Sequence, residues 1–461
     1  MKDEEIRDLL LHLAIVTKEI VKSEKVNGLI KPESELFEHW GVTSFSYDDT
    51  GCHVGKSGTQ ITKPSWIRGL FQIREIVIKT DEYRQLMDDL KTKTSFKEIE
   101  PNPVSRFLHK IVSEYLEDET IPEVRLHVLI DNFIMDIQNK PVKSGAIVQV
   151  SGIILHSDEI EIAPGVLLRK PKKEDFEIDI PVQVFRFFPH VPDPTAFLEI
   201  SLQTKMPTNI QEEVTKAITI LRLFKPGSVK WNTYRMYSES VSQFLGGTMT
   251  SGESHSAIDN YILQDNEIKN LKNFWMRLSS ILPPIFYRFD VGKVDHISIA
   301  YNRYTDSLLQ NGLNERRIAN AIMGLEALYF KPTGELQELQ YRLGIRVAKM
   351  LGKLNFDPIK IRCAIKDAYT IRSIFSHGGH LSYKEKRKYE AKYDGNIKNL
   401  LKLILDYLRV SIIVSMTIRS EKDEFIDIID NAMIDDAANQ RLLGVLNQAK
   451  NILEFNKGTP E

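Results

Sequence analysis

The stretch Ile371-Arg372-Ser373-Ile374-Phe375-Ser376-His377-Gly378-Gly379 places an arginine and a histidine with four residues between them. Arg372 keeps its charge at any relevant pH and presents a planar fork of donors suited to a phosphate group. His377 can exchange a proton near neutrality. One group to hold a phosphate and one to move a proton is the minimum for cleaving a phosphodiester. Spacing alone carries little weight, since an arginine five positions before a histidine has roughly even odds of occurring once in a chain of this length. Arg7 and His12 have the same spacing. There the histidine sits among Leu9, Leu10, Leu11 and Leu13 on an amphipathic helix with no stop signal, so that pair reads as structural. The bland reading of Arg372 and His377 is an arginine in a surface ion pair and a histidine favourably placed at a helix C-terminus.

Position separates the two pairs. A helix starting near Pro358 should end at Gly378-Gly379, a strong stop signal, which sets Arg372 and His377 on or just past its last turn. Tyr369, three residues before Arg372, shares roughly the same helix face and reads as a packing residue or a base-stacking platform. From about Asp265 onward every pattern is helical: Asn266 to Leu282, His296 to Leu309, Asn314 to Phe330, Glu335 to Leu351, Lys360 to Phe375, Asn396 to Arg419 and Ala432 to Leu453. Upstream, a helix over Glu4 to Lys22 is followed by short strands and loops over Glu38 to Trp66. Next come a strand at Glu75 to Lys79 leading into a helix, and a helix over Phe107 to Leu116. Strands are expected at Val124 to Ile137, Ala146 to Leu155, Phe185 to Phe188 and Ala196 to Leu202, with a hairpin around Ile160, Ile162 and Pro164-Gly165. A short helix should follow Lys173, and another should cover Gln211 to Phe224. Ser238 to Ser256 reads as a polar loop. The fold class is therefore α+β. A mixed α/β module with substantial strand covers residues 1–260, with possible subdomains 1–120 and 121–260. An all-α domain with a C-terminal helix covers residues 261–461.

Composition narrows the classes. A chain of 461 residues with a 42% hydrophobic fraction can build two or three real cores. The most apolar stretch, Leu400 to Ile418, is interrupted by Lys402, Asp406 and Arg409, so no membrane partner is expected. The N-terminus lacks a signal-peptide pattern, and a cytoplasmic protein is expected. Two distant cysteines, Cys52 and Cys363, exclude a disulfide-stapled fold and a thiolate-rich zinc site. A formal net charge of −2 does not announce a nucleic-acid partner, although a local patch suffices for a transient RNA substrate. The run Lys384-Glu385-Lys386-Arg387-Lys388, with Tyr383 and Tyr389 beside it, supplies RNA-binding candidates or a solvated helix face. Lys170-Pro171-Lys172-Lys173 is a turn neutralised by its acidic neighbours. Gly246-Gly247 opens no nucleotide-binding loop. Neither Asp48, Asp49, Cys52 and His53 nor His377 with His380 has compelling metal-ligand spacing, so no cofactor and no metal is expected. Glu326 and Arg346 interrupt apolar helical patterns. They face solvent, pair with each other, or orient the Arg372–His377 motif.

Three blocks carry a resemblance: Ala319 to Phe330, Leu339 to Leu351, and Ala368 to Gly378. In this order they resemble the Apea-like branch of the HEPN superfamily, over roughly residues 290 to 420. Ser157 to Asp175, with its Ile-Ala-Pro-Gly-Val-x-x-Arg pattern, is similar to a segment found upstream in some members. The resemblance implies a small helical bundle and a metal-independent endoribonuclease of phage defence, abortive infection or toxin systems. It places the catalytic arginine and histidine on Arg372 and His377. The residue after the arginine, often Asn, Asp or His in active members, is Ser373 here. The resemblance further implies a homodimer through the helical domain, a composite cleft, RNA as substrate, and a 1–260 module that senses or regulates, with a possible regulatory protein partner. Other members are non-catalytic and only bind or dimerise, and that alternative stays open.

Overall fold

The computed structural model describes residues 3–93, 103–118, 121–138, 140–181, 193–204, 209–241, 247–250, 259–288, 294–310, 312–331, 338–418 and 421–453. The expected strand at Phe185 to Phe188 lies outside these residues. The architecture is α+β, with sheets and helices in the N-terminal region and helices throughout the C-terminal region.

The first helix, α1 (Asp3–Val26), precedes a long hairpin, β1 (Glu33–Asp48) and β2 (Gly51–Ser65). Its strands pair continuously from Glu33–Ser65 to Asp48–Gly51 apart from one irregularity between Val42 and Ser44. Gly41, Gly51, Gly55 and Gly58, in the stretch expected as short strands and loops, are all strand residues. Three helices follow: α2 (Ile67–Val77), α3 (Asp81–Lys93) and α4 (Pro103–Glu117). Residues 75–77, expected as strand, close α2, whose buried Gly69, Ile73 and Val77 recur every four residues. The next element, α5 (Glu123–Ile137), replaces the expected strand at Val124 to Ile137. Its buried Leu126, Leu129, Ile130, Phe133 and Ile134 have helical spacing, which outweighs their β-branched and aromatic content.

The strands β3 (Val142–Ser151), β4 (Ile153–Leu155), β5 (Glu159–Ala163), β6 (Val166–Arg169), β7 (Ile178–Pro181) and β8 (Ala196–Thr204) come next, with a 3₁₀ turn at Lys173–Phe176. The helix α6 (Ile210–Phe224) is followed by β9 (Lys230–Ser238), β10 (Gly247–Thr250) and β11 (Tyr261–Leu263). The main sheet has the order β10-β9-β3-β8-β6-β5, β7 joins the β1–β2 hairpin, and β11 pairs in parallel with β4. The expected hairpin at Ile160 to Arg169 is β5–β6.

The C-terminal helices are α7 (Ile268–Ser279), α8 (His296–Leu309), α9 (Asn314–Tyr329), α10 (Leu339–Gly352), α11 (Pro358–Ser376), α12 (Tyr383–Lys392), α13 (Ile397–Thr417), α14 (Lys422–Asn431) and α15 (Asp436–Leu453). The single C-terminal helix expected from Ala432 is instead α15, preceded by a separate helix α14.

Buried apolar side chains form two clusters. One joins α1–α5 with Val241, and the other runs from Ala146 in β3 to Ile452 in α15. Hydrophobic packing is continuous across residue 260, so the expected division there does not coincide with a gap in the core. Polar bonds reinforce this continuity. Arg409 of α13 donates from Nη1 to the carbonyls of Leu223 and Phe224 at the end of α6, at 2.9 and 3.1 Å. These carbonyls have no partner within their own helix. The hydroxyl of Tyr304 donates to the Arg222 carbonyl at 2.8 Å, and Tyr301 bonds Thr219 at 2.8 Å. The sheet's covering helix is therefore fastened to the bundle that carries the Arg372–His377 segment. Among the described residues no helix is long and apolar enough to cross a membrane.

Candidate functional site

The site is built where α9 packs against α11. Buried Ile318, Ala321, Ile322, Leu325 and Leu328 draw α9 into the core, each large side chain contributing roughly 1.5–3 kcal/mol. Gly324 lets α9 approach closely, because a Cβ there would stand 2.7 Å from Leu408 of α13. Two residues later, Glu326 emerges from the apolar stripe toward α11.

The neighbouring helix begins on Asp357, whose carboxylate accepts from the backbone of Ile359 and Lys360, with Pro358 at the first helical position. Its buried stripe of Ile361, Ala364, Ile365, Ala368 and Ile371 ends just before Arg372. Termination follows the sequence expectation. His377 is the C-cap, and Gly378 adopts φ +75°, the left-handed conformation that costs a residue with a Cβ. The Gly378 N–H donates to the Phe375 carbonyl at 3.0 Å, and the Gly379 N–H to the Ile374 carbonyl at 2.9 Å. These two bonds are the Schellman pattern, which locks the chain's exit direction.

Arg372 is not a solvated arginine. Its Nη2 donates to Glu326 Oε2 at 3.1 Å, across 46 residues of sequence. The side chains are 27% and 16% exposed, respectively, well inside the range where an ion pair is screened weakly. Tyr369 stands beside the same pair, with the Arg372 guanidinium carbon 5.6 Å from its ring centroid. Burial raises the Glu326 pKa above its ordinary value, opposed by the charge of Arg372 and the hydrogen bonds of Tyr369 and Arg372. Burial, the adjacent carboxylate and its hydrogen bond raise the Tyr369 pKa as well, against the charge of Arg372. The Arg372 Nε is buried and has no hydrogen-bond partner among the described residues, a costly state for a charged donor.

His377 is exposed, and its ring has no hydrogen bond among the described residues. Ser373 is half-buried; its carbonyl accepts from the His377 N–H at 3.2 Å, which ties the two motif positions through the backbone. The site is thus an inward-turned arginine clamped by a carboxylate and a tyrosine, with a histidine displayed on the following cap.

The other sequence candidates divide. Glu326 and Tyr369 join Arg372. Arg346 does not: it neither faces solvent nor pairs with Glu326. It is 4% exposed, forms a two-pronged pair with Asp430 of α14 at 2.8 and 2.7 Å, and donates to the Tyr329 carbonyl at 2.7 Å. Its role here is to tie the end of α9 to α14, one turn beyond Glu326. Nothing in the sequence marks Asp430 as its partner, since 84 residues separate them. Lys384, Lys386, Arg387 and Lys388 lie exposed on α12. Among the described residues no group of three or more histidine, cysteine or carboxylate side chains could hold a metal ion. The decoy pair is a surface feature: Arg7 pairs with Asp131, both side chains more than two-fifths exposed, and His12 is exposed in mid-helix. No family model, no curated protein and no solved structure matches the chain.

Proposed function

We infer that the chain is a metal-independent endoribonuclease of the HEPN type, acting on cytoplasmic RNA in phage defence, abortive infection or a toxin-type stress response. One observation carries the reading: Arg372 is held by a half-buried carboxylate with its Nε donor unsatisfied, and the same helix ends on an exposed histidine. A phosphate oxygen approaching Arg372 would satisfy Nε. The resemblance of the three helical blocks supports the same assignment.

The reaction is transfer within the substrate. The ribose 2′-oxygen attacks the adjacent phosphorus, the bond from phosphorus to the 5′-oxygen breaks, and the products are a 2′,3′-cyclic phosphate and a 5′-hydroxyl. The 2′-hydroxyl loses a proton and the leaving 5′-oxygen gains one. His377 carries one of these transfers, and Arg372 stabilises charge building on the non-bridging oxygens. A homodimer that pairs two such helices across a two-fold axis would bring a second His377 for the other transfer. DNA, lacking the 2′-hydroxyl, is refused.

A second reading, a non-catalytic RNA-binding or dimerisation module, is favoured by the neutralisation of Arg372 by Glu326 and by Ser373 at the position after the arginine. Cleavage of labelled single-stranded RNA in EDTA, comparing wild type with Arg372→Ala and His377→Ala, decides between them. Cyclic-phosphate ends that vanish in both variants establish the enzyme. Intact RNA with a folded wild-type protein over a range of sequences sinks it.

A further inference from the structure

The basic helix α12 has a geometry that the sequence run alone did not reveal. It carries five cations, Lys384, Lys386, Arg387, Lys388 and Lys392, against two carboxylates, Glu385 and Glu390, in a chain of net charge −2. One carboxylate is occupied locally: Glu385 accepts from the Ser382 backbone and hydroxyl at 2.9 and 2.6 Å in a capping box. One cation is also used: Lys392 pairs with Asp367 of α11, which the Tyr393 hydroxyl binds too, at 2.7 Å. Lys384, Lys386, Arg387 and Lys388 have no ion-pair partner among the described residues.

Those bonds to Asp367 orient the helix. Asp367 stands ten residues before His377 on α11, about 15 Å along the axis. The far end of α12 is anchored there, while its first residue follows His377 by only six, a reach of at most about 20 Å. The first turn of α12 therefore lies within about 20 Å of His377. The two tyrosines separate. Tyr389 is buried and anchors the helix, whereas Tyr383 is 71% exposed. The Arg387 guanidinium carbon lies 4.8 Å from the Tyr383 ring centroid. On the helical wheel Tyr383, Lys384 and Arg387 share the face opposite Tyr389.

We propose that this face of α12 is a ledge for single-stranded RNA, with Tyr383 and Arg387 as the stacking surface and Lys384 and Lys388 as phosphate contacts, feeding the Arg372–His377 site; its destination rests on the ribonuclease reading. An exposed ring beside a guanidinium offers planar surface to splayed bases, which a duplex keeps stacked internally. An acidic protein segment would need the cations but not the ring, so the tyrosine selects RNA over a protein partner.

The test is fluorescence anisotropy of a labelled twelve-nucleotide single-stranded RNA on His377→Ala protein across a salt series, with folding checked by circular dichroism. Lys384→Glu with Arg387→Glu should weaken binding at least tenfold and flatten the salt dependence by about 0.7 per lost phosphate contact. Tyr383→Ala should weaken it about tenfold with the salt slope unchanged. Lys402→Glu on α13, an exposed charge elsewhere, should have little effect. Unchanged affinity in the double variant overturns the ledge. So does equal affinity for duplex RNA, or a charge effect without a Tyr383 effect, which would leave a purely electrostatic contact. Wild-type protein that binds through α12 but never cleaves would end the nuclease reading and leave the ledge standing. Cleavage with an unaltered KM in the α12 variants would do the reverse.

Discussion

Two arginine–histidine pairs with identical spacing stand at opposite ends of this chain, and their surroundings differ in every physical respect. Arg7 and His12 ride the first half of α1, where the backbone continues as helix to Val26. Arg7 finds Asp131 at the surface. Arg372 finds Glu326 between two packed helices, keeps a buried donor unsatisfied, and is followed by a helix end locked by Gly378. Spacing is a property of the chain, but a site is a property of burial, charge and direction. The bland expectation for Arg372, a solvated surface ion pair, describes Arg7 instead.

The largest test of this contrast is catalytic. Arg372→Ala and His377→Ala should each lower RNA cleavage by about 10²–10⁴-fold, while Arg7→Ala and His12→Ala should stay within a factor of two. Equal losses at both ends would erase the distinction. A smaller but structural effect should come from Gly378→Ala. Its φ of +75° makes a side chain there cost about 1–2 kcal/mol, read as a lower denaturation midpoint. The same change would turn His377 away from its present exit direction and reduce cleavage. A variant as stable as wild type would show that the cap tolerates another geometry.

Glu326 allows a subtler test, through pH. Its pKa in the folded chain is raised from the ordinary 4.5, so the folded state holds that proton more tightly than the unfolded state. The resulting stability is fully present below about pH 4.5 and is lost as pH rises through the raised value. Glu326→Gln stays neutral throughout and lacks this loss. Urea denaturation from below pH 4.5 to neutrality should therefore show wild type losing stability relative to the glutamine variant. The opposite slope would mean that Arg372 and Tyr369 stabilise the carboxylate more than burial penalises it.

Much of this arrangement was legible in sequence because it is local. The 3.6-residue recurrence of apolar positions marks α8, α9, α11 and α13, and Gly378-Gly379 marks where α11 stops. The errors came where local chemistry points one way and packing another. Valine, isoleucine and phenylalanine made α5 look like a strand, although its buried positions recur at helical spacing. Glycines point to short strands and loops over the β1–β2 hairpin, although cross-strand pairing holds them in two long strands. The short helix α14 carries its apolar stripe, Phe425, Ile426, Ile428 and Ile429, over barely two turns, a short signal beside the long helices α13 and α15. Partners across long separations leave no local trace: Glu326 with Arg372 and Arg346 with Asp430 are tertiary facts.

The smallest expected effect is also the cleanest control. Asp131→Ala removes the partner of Arg7, but both side chains are more than two-fifths exposed, and water replaces much of what the carboxylate supplied. Such pairs contribute roughly 0.2–1 kcal/mol, less at high salt. Denaturation midpoints of Asp131→Ala and wild type should nearly coincide in 0.5 M salt and differ slightly at low salt. A large loss that persists at high salt would mean that Arg7 supports the α1–α5 core in a way its exposure does not reveal. The N-terminal pair would then have to be treated as a built feature, and the contrast with Arg372 would rest on the unsatisfied donor and the helix cap alone.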